Sequence, residues 1–201
     1  MRLRVFEKKM RRPVFTLAQA QIVAYEDSAQ ALRLALHRWA KKGEILRLRR
    51  EVYAFPERLP STPDLISVLY PPAYVSLESA LNQHGLLPDV PFETTLATPR
   101  ATRSFQTSLG RFHFHRVHPR LFFGYDSKTL MSTPEKALLD YFYFHGAYLK
   151  AQDEFWQEAR FQHLSRVNWK KGDQALTAYP GEKVKKLWES LKRYAKTHCT
   201  D

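Results

Sequence analysis

The segment from Thr16 to Phe55 constrains the fold more than any other part of the chain. Two stretches with helical periodicity, residues 16–24 and 28–41, are separated by a short polar turn. Gly43 follows the second stretch, at a position where glycine favours a left-handed helix end. Residues 45–55 then read as a basic two-stranded hairpin. Two helices followed by a basic hairpin predict a winged helix-turn-helix, in which the second helix enters the major groove of DNA.

The second of these helices has two distinct faces when its residues are placed at about 100° per residue. One arc is apolar and predicts a core stripe made of Leu32, Ala35, Leu36, Trp39 and Ala40. The opposite arc is mainly polar and carries Gln30, Arg33, Leu34, His37 and Lys41, with Arg38 beside it. Side chains of these types hydrogen-bond base edges and phosphates. The polar arc is therefore the predicted reading surface, although the exposed Leu34 within it has no assigned role.

The hairpin supplies the second set of predicted contacts. Leu46 and Leu48 alternate with Arg47 and Arg49, and Arg50-Glu51 is placed at the turn. Basic side chains at a hairpin tip suit a wing that lies on a phosphate backbone or in a minor groove. The complete set of predicted DNA-binding residues is Ser28, Gln30, Arg33, His37, Arg38, Lys41, Arg47, Arg49 and Arg50. A charged face that is merely solvated, or that binds another protein, is the alternative.

The charge distribution supports this interpretation. The chain has a net charge of +12. Residues 1–60 hold 14 Lys or Arg and 6 Asp or Glu, a balance of +8, whereas residues 61–150 hold 8 and 7. A basic module joined to a nearly neutral one is typical of a protein that binds the DNA backbone and has a separate second function.

The predicted fold class is α+β, with three regions. Residues 1–58 form the winged helix-turn-helix, residues 59–148 a mixed α/β domain, and residues 149–201 a helical C-terminal extension packed on it. The proline-rich segment 56–63 marks the first boundary. In the second region Ser76 is predicted to cap a helix through His84 that stops at Gly85, and Thr133-Pro134 to open another. The predicted strands are Thr94–Thr98, Arg103–Thr107 and Arg111–Val117.

The last fifty residues have a basic, amphipathic helix as their main feature. Its apolar stripe consists of Val184, Leu187, Trp188, Leu191 and Ala195. Most of its lysines and arginines fall elsewhere on the helix. Packing on the second domain, a protein interface and an added DNA contact are all compatible with this pattern.

Several segments, taken in order, resemble one known family. They are Tyr74–Leu86, Val90–Pro99, Phe112–Val117, Leu121–Gly124 and Ser132–Asp140, behind the winged helix. The chain resembles the AbiEi antitoxins from about Thr16 to about His145. It departs from that pattern at Glu51, where such sequences commonly have glycine. A non-glycine residue disfavours a left-handed turn there and places a negative charge near the DNA.

The resemblance implies a type IV toxin–antitoxin operon of the abortive-infection kind. In such an operon the protein represses its own promoter through inverted repeats on double-stranded DNA. Its partner is a nucleotidyltransferase-like toxin, which the second domain counters functionally without stable direct binding. The expected protein is a monomer or weak dimer that pairs on DNA, because an inverted repeat needs two protomers.

The residue types predict no enzyme and no cofactor. His113, His115 and His118 form the one histidine cluster, but no third metal ligand is placed with the alternating pair. A nuclease or DNA-modifying enzyme targeted by the winged helix is the alternative. Asp89 and Glu93 are its available carboxylates, whereas Thr95 stands where a lysine would be needed. The single cysteine, Cys199, predicts no disulfide, and no apolar run predicts a membrane span, so a cytoplasmic protein is expected.

Overall fold

The computed structural model describes residues 2–198, so Cys199 lies outside the described residues. The chain forms two compact units. The first runs up to Pro72 and also includes Phe105–Arg111, and the second comprises Ala73–Ser104 and the chain from Phe112 onward. The units are drawn differently from the predicted regions, whose boundaries at residues 58 and 148 stay predictions. The architecture is mixed helix and sheet, which confirms the predicted α+β class.

The first unit has the element order of a winged helix. In chain order the elements are α1 (Leu3–Lys9), β1 (Val14–Thr16), α2 (Leu17–Val23), α3 (Ala29–Lys41), β2 (Leu46–Arg49), β3 (Val52–Ala54) and α4 (Thr62–Leu69). The strands form an antiparallel sheet in the order β1-β3-β2. Strand β1 was not predicted, because three residues between a proline and a helix carry too little alternation to be recognised.

The ends of α2 and α3 follow from their sequences. Thr16 accepts a hydrogen bond from the Gln19 backbone N–H while the Gln19 side chain accepts one from Thr16, which confirms the predicted capping box. Gly43 adopts φ 74° after α3. Its N–H donates to the carbonyl of Ala40, and the next N–H donates to the carbonyl of Trp39. This pair of bonds is a Schellman cap and confirms the predicted glycine stop.

Aromatic side chains fill the core of the first unit. Phe6 lies 5.3 Å from Phe15 and 5.5 Å from Trp39, measured between ring centroids, and all three are buried. Arg58, in the predicted linker, donates to the backbone carbonyls of Met10 at 2.7 Å and of Glu7 at 3.0 Å. These carbonyls end α1 without helical partners, so Arg58 satisfies them and fixes the start of the linker to the first helix.

A second sheet is mixed, and most of its residues belong to the second unit. Its strands are β4 (Tyr74–Val75), β5 (Thr94–Thr98), β6 (Arg103–Thr107), β7 (Gly110–Arg116), β8 (Tyr125–Asp126) and β9 (Met131–Ser132). The six strands lie in the order β6-β7-β5-β4-β9-β8. Strands β5 and β7 pair in parallel, as do β4 and β9. The three longest strands were predicted, whereas the two-residue strands are too short to give a sequence signal.

The helices of the second unit are α5 (Leu77–Gln83), α6 (Pro134–His145), α7 (Asp153–Glu158), α8 (Trp169–Leu176) and α9 (Glu182–His198). The predicted apolar stripe of the last helix is buried throughout. That helix packs on α6, α7 and α8, so its apolar face belongs to the core of this unit. The two other uses weighed for its basic face stay predictions.

A buried polar network corrects the predicted role of Ser76. Ser76 precedes α5, but its hydroxyl makes no capping bond and donates instead to Asp140 Oδ2 at 2.7 Å. The Asp140 carboxylate also accepts from Tyr74 at 3.0 Å, from Tyr179 at 2.6 Å and from Lys136. Burial lowers the pKa of Lys136, and the Asp140 carboxylate opposes that shift. Ser76 is thus engaged by an acceptor 64 positions away, which local sequence patterns do not reveal.

Candidate nucleic-acid interface

Helix α3 presents its polar face as the sequence predicts. The residues of the predicted core stripe are buried or half-buried. On the other side Gln30, Arg33, His37, Arg38 and Lys41 are all exposed. Ser28 is exposed as well, but its hydroxyl accepts the Ala31 backbone N–H at 3.2 Å and caps the helix. Its structural task is therefore the helix start, and its predicted DNA contact stays a prediction.

A groove between α3 and the wing brings several predicted residues together. Arg33 and His37 line it from the helix, and Arg47 and Arg50 line it from the hairpin. Its volume is about 350 Å³. The convergence of cationic side chains from two elements creates a positive concave surface, which attracts a polyanion more strongly than isolated cations do.

Three predicted residues lie on α3 outside this groove. Gln30 is in the first turn of the helix, and Arg38 and Lys41 are in its last turn. Their exposed positions extend the basic surface along the helix beyond the groove. None of the three lines the groove, so their contacts with DNA stay predictions.

Arg49 occupies a different place from the one predicted. The register shifts between Arg47, opposite Tyr53, and Arg49, opposite Val52. Because neighbouring residues of a strand face opposite sides, this bulge turns Arg47 and Arg49 to opposite faces of the sheet. The Arg49 guanidinium donates to the carbonyl of Val68 at 3.1 Å and lies 5.6 Å from the ring of Phe105.

The expected position of Arg49 beside Arg47 is therefore wrong. Strict alternation predicted it, and only the bulge overturns it. Arg49 is half-buried and holds α4 to the wing. A guanidinium engaged in this way is poorly placed for a phosphate contact.

The turn of the wing shows which backbone conformation Glu51 adopts at a position where related sequences commonly have glycine. Glu51 adopts φ 61°, so the hairpin keeps the left-handed turn conformation without a glycine. Its carbonyl accepts the N–H of Leu17 at 2.9 Å, which anchors the turn to the first residue of α2. Glu51 lines the groove together with Leu17 and Tyr53. Leu17 and Tyr53 are not among the predicted site residues, because their place in the sequence pattern indicates only core packing.

The histidine cluster of the second unit does not form a metal centre. Among residues 2–198 no group of three or more possible ligands is arranged to hold a metal ion. The rings of His113 and His115 lie 4.2 Å apart, and His113 Nδ1 lies 3.0 Å from Ser104 Oγ. His118 instead accepts the backbone N–H of Arg120. Burial, with the neighbouring His113 charge, lowers the pKa of His115 to about 4.

The residues weighed for a nuclease site are engaged separately. Asp89 Oδ1 lies 3.5 Å from Arg160 Nη1, whereas Glu93 Oε1 lies 3.6 Å from His113 Nδ1. Thr95 donates to the carbonyl of Ser76 at 2.8 Å. The structure thus gives each of these three side chains its own partner and does not assemble them around a common point.

Comparison with known proteins gives a match within the first unit. The family model described as "Transcriptional regulator, AbiEi antitoxin" matches residues 4–56. This range is about a quarter of the chain, and it covers α1 through β3 with the groove. The segments of the second unit that resemble the same family lie outside it. A search of curated proteins gives no match. Within residues 2–198 no helix has the length and apolar character needed to span a bilayer. Residues 4–56, which contain the winged helix and its basic groove between α3 and the hairpin, thus match the model of a family of AbiEi antitoxin transcriptional regulators.

Proposed function

We propose that this protein is a DNA-binding transcriptional repressor and the antitoxin of a type IV toxin–antitoxin operon. The observation that carries the proposal is the groove in which Arg33 and His37 of α3 face Arg47 and Arg50 of the wing. The family match over the same residues supports it, because that family consists of transcriptional regulators. The protein would bind double-stranded DNA at inverted repeats in its own promoter.

In this mechanism α3 enters the major groove. Arg33, at the centre of the exposed face, is the candidate reader of a guanine, since a guanidinium donates to O6 and N7 together. Gln30 in the first turn suits adenine by its amide, and His37 contacts a base edge or a phosphate. Arg38 and Lys41 lie in the last turn, where they would neutralise phosphates.

The wing fixes the position of α3 on the duplex. Arg47 and Arg50 are exposed and lie across the groove from the helix, so they would contact the phosphates that border the major groove. Arg49 contributes indirectly by holding the hairpin to α4. A repeat with two-fold symmetry would bind one protomer in each half.

The antitoxic role is assigned to the second unit. Its support is the resemblance of its segments, from Tyr74 to Asp140, to AbiEi antitoxins. The proposed partner is a nucleotidyltransferase-like toxin encoded in the same operon, countered without a stable complex. Coexpression of the full-length chain with the neighbouring gene product tests this role. Growth that is restored, and that depends on residues of the second unit, supports it, whereas continued growth arrest contradicts it.

The DNA-binding proposal is tested by binding of the full-length protein to DNA from upstream of its own gene and to a shuffled duplex of the same composition. We expect a preference for the upstream DNA and an affinity that falls steeply with salt, with a log–log slope of about −0.9 per neutralised phosphate. Arg33→Ala should cost about 1–3 kcal/mol on the upstream DNA and less on the shuffled duplex.

Arg50→Ala should weaken both duplexes about equally, because a phosphate contact carries no sequence information. Arg120→Ala is the matched control, since it removes an exposed arginine from the second unit. Affinity that is independent of salt and unchanged in all three variants would contradict the proposed interface. Equal losses for Arg33→Ala on both duplexes would reduce Arg33 to a phosphate contact.

A further inference from the structure

Leu34 lies on the predicted reading surface of α3, but the proposed function gives it no task. Along this helix, every residue of which the structure describes, it is the one large apolar side chain that lies in solvent, and it is 57% exposed. A single exposed leucine is common on protein surfaces, so its exposure alone carries no conclusion. Its position on the helix is informative, because it decides which chemical groups Leu34 meets when α3 binds.

The position of Leu34 points away from the core. At about 100° per residue it lies about 160° around the helix from Leu32, which is buried. Its neighbours on the helix surface, three or four positions away, are Gln30, Ala31, His37 and Arg38. All four are exposed, and none has a large apolar side chain. Leu34 is therefore not part of a larger apolar patch along this helix, as a stable protein interface would require.

The major groove of DNA offers one apolar group to such a side chain. The base edges there present hydrogen-bond donors and acceptors, and thymine alone adds a methyl group, at its C5 atom. A leucine that faces a G·C pair displaces water from donors and acceptors without replacing the lost hydrogen bonds, which costs free energy. A leucine that faces the thymine methyl group instead removes apolar surface of both partners from water.

We propose that Leu34 reads thymine by packing on its C5 methyl group in the major groove. This proposal rests on the proposed function, since it requires α3 to enter that groove. It adds a base that is recognised through an apolar contact to those recognised through hydrogen bonds. Leu34 does not line the groove between α3 and the wing, so the contact is separate from the arginines that converge there.

The test is a scan of the upstream DNA in which one thymine at a time is replaced by deoxyuridine. Deoxyuridine pairs with adenine as thymine does but lacks the methyl group. We expect at least one position at which the wild-type, full-length protein binds about fourfold more weakly, which is the effect of one buried methyl-sized group. At that position Leu34→Ala should bind the two duplexes equally, and at other positions it should respond as the wild type does.

Ile22→Ala is the matched control. Ile22 is also a large aliphatic side chain, 75% exposed, but it lies on α2 and outside the predicted reading surface. This variant should respond to every deoxyuridine as the wild type does. Both variants should keep the circular-dichroism spectrum of the wild type, because neither side chain is buried and alanine favours the helix.

Addition of a methyl group provides the converse measurement. At the position that the scan identifies, the A·T pair is replaced by a G·C pair whose cytosine is either plain or 5-methylated. The wild type should bind the methylated duplex about fourfold more tightly than the unmethylated one. Leu34→Ala should bind both equally.

The possible failures of this proposal and of the repressor function differ. A wild type that prefers the upstream DNA over the shuffled duplex but responds to no deoxyuridine would refute the reading of thymine and leave the repressor function intact. Equal responses of the wild type and Leu34→Ala at every position would also overturn the proposal, because another residue would then contact the methyl group. Absence of any preference for the upstream DNA would refute the proposed function and this inference together.

Discussion

The wing turn offers the sharpest test of how backbone conformation and charge act at one residue. Glu51 combines a left-handed backbone, φ 61°, with an acidic side chain at a position that lines the basic groove. Glu51→Gly removes both features, whereas Glu51→Gln removes the charge and keeps the side chain. Comparison of the two variants separates the two effects.

The stability effect follows from the backbone. A left-handed conformation costs a residue with a Cβ about 1–2 kcal/mol, which glycine avoids. Glycine in turn gives the unfolded chain more freedom, which costs about 0.4–1 kcal/mol of stability. Glu51→Gly should therefore stabilise the fold by about 0.5–1 kcal/mol and raise the melting temperature by a few degrees. Glu51→Gln should leave the melting temperature nearly unchanged.

The affinity effect follows from the charge. A carboxylate about 8 Å from a phosphate repels it through water by about 0.5 kcal/mol. Salt at physiological strength reduces that repulsion. Both variants should therefore bind a random duplex about twofold more tightly at low salt than the wild type does, and the gain should shrink as salt is added.

Two measurements check these expectations: thermal unfolding followed by circular dichroism, and fluorescence anisotropy with a labelled random duplex. Equal stabilisation by Glu51→Gln and Glu51→Gly would refute the argument from backbone strain. Unchanged affinity in both variants would refute the placement of this carboxylate near the phosphates.

Four further predictions follow from the structure. Gly43→Ala should destabilise the protein by about 1 kcal/mol in urea unfolding, because the site has φ 74° and open space for a Cβ, so that only the backbone is strained. Arg49→Ala should lower stability by about 1–3 kcal/mol but leave the affinity for random DNA unchanged; a clear loss of affinity would return Arg49 to the interface. Asp140→Ala should cost about 3–5 kcal/mol by leaving the buried Lys136 without its counter-charge, and Lys136→Met added to it should recover part of that loss. His115 has a folded pKa of about 4, below its usual value of 6.5, so its contribution to stability is complete above pH 6.5 and is lost as the pH falls toward 4. His115→Gln should flatten that part of a melting-temperature profile against pH, and an unchanged profile would contradict the burial of the ring.

Local chemistry made much of the winged helix predictable. The capping box at Thr16 and the glycine stop at Gly43 are each formed by residues close together in the chain, so the spacing of each motif is visible in the sequence. The buried and exposed faces of α3 follow from helical periodicity in the same way. The position of Arg33 and His37 on the exposed side therefore needed no tertiary information.

Features that depend on distant contacts were not predictable. The bulge that turns Arg49 inward is stabilised by the carbonyl of Val68, 19 positions away. Ser76 reads as a helix cap, but the buried Asp140 binds its hydroxyl. In both cases a local sequence pattern predicts one arrangement, and a partner from a distant element imposes another. The distant contact forms because a charged group that is removed from water needs a hydrogen-bond partner.

The segment Phe105–Arg111 has a consequence for how this protein can be divided. It belongs to the same compact unit as the winged helix, although more than thirty residues separate it from Pro72 along the chain. Within that unit its Phe105 ring lies 5.8 Å from the ring of Tyr70 and faces the guanidinium of Arg49. A transplant of the winged helix onto another effector, whether by recombination or in the laboratory, would leave this contact behind if it were cut at a single point. The module is therefore less portable than its continuous family match suggests, and a functional chimera needs both pieces from the same parent.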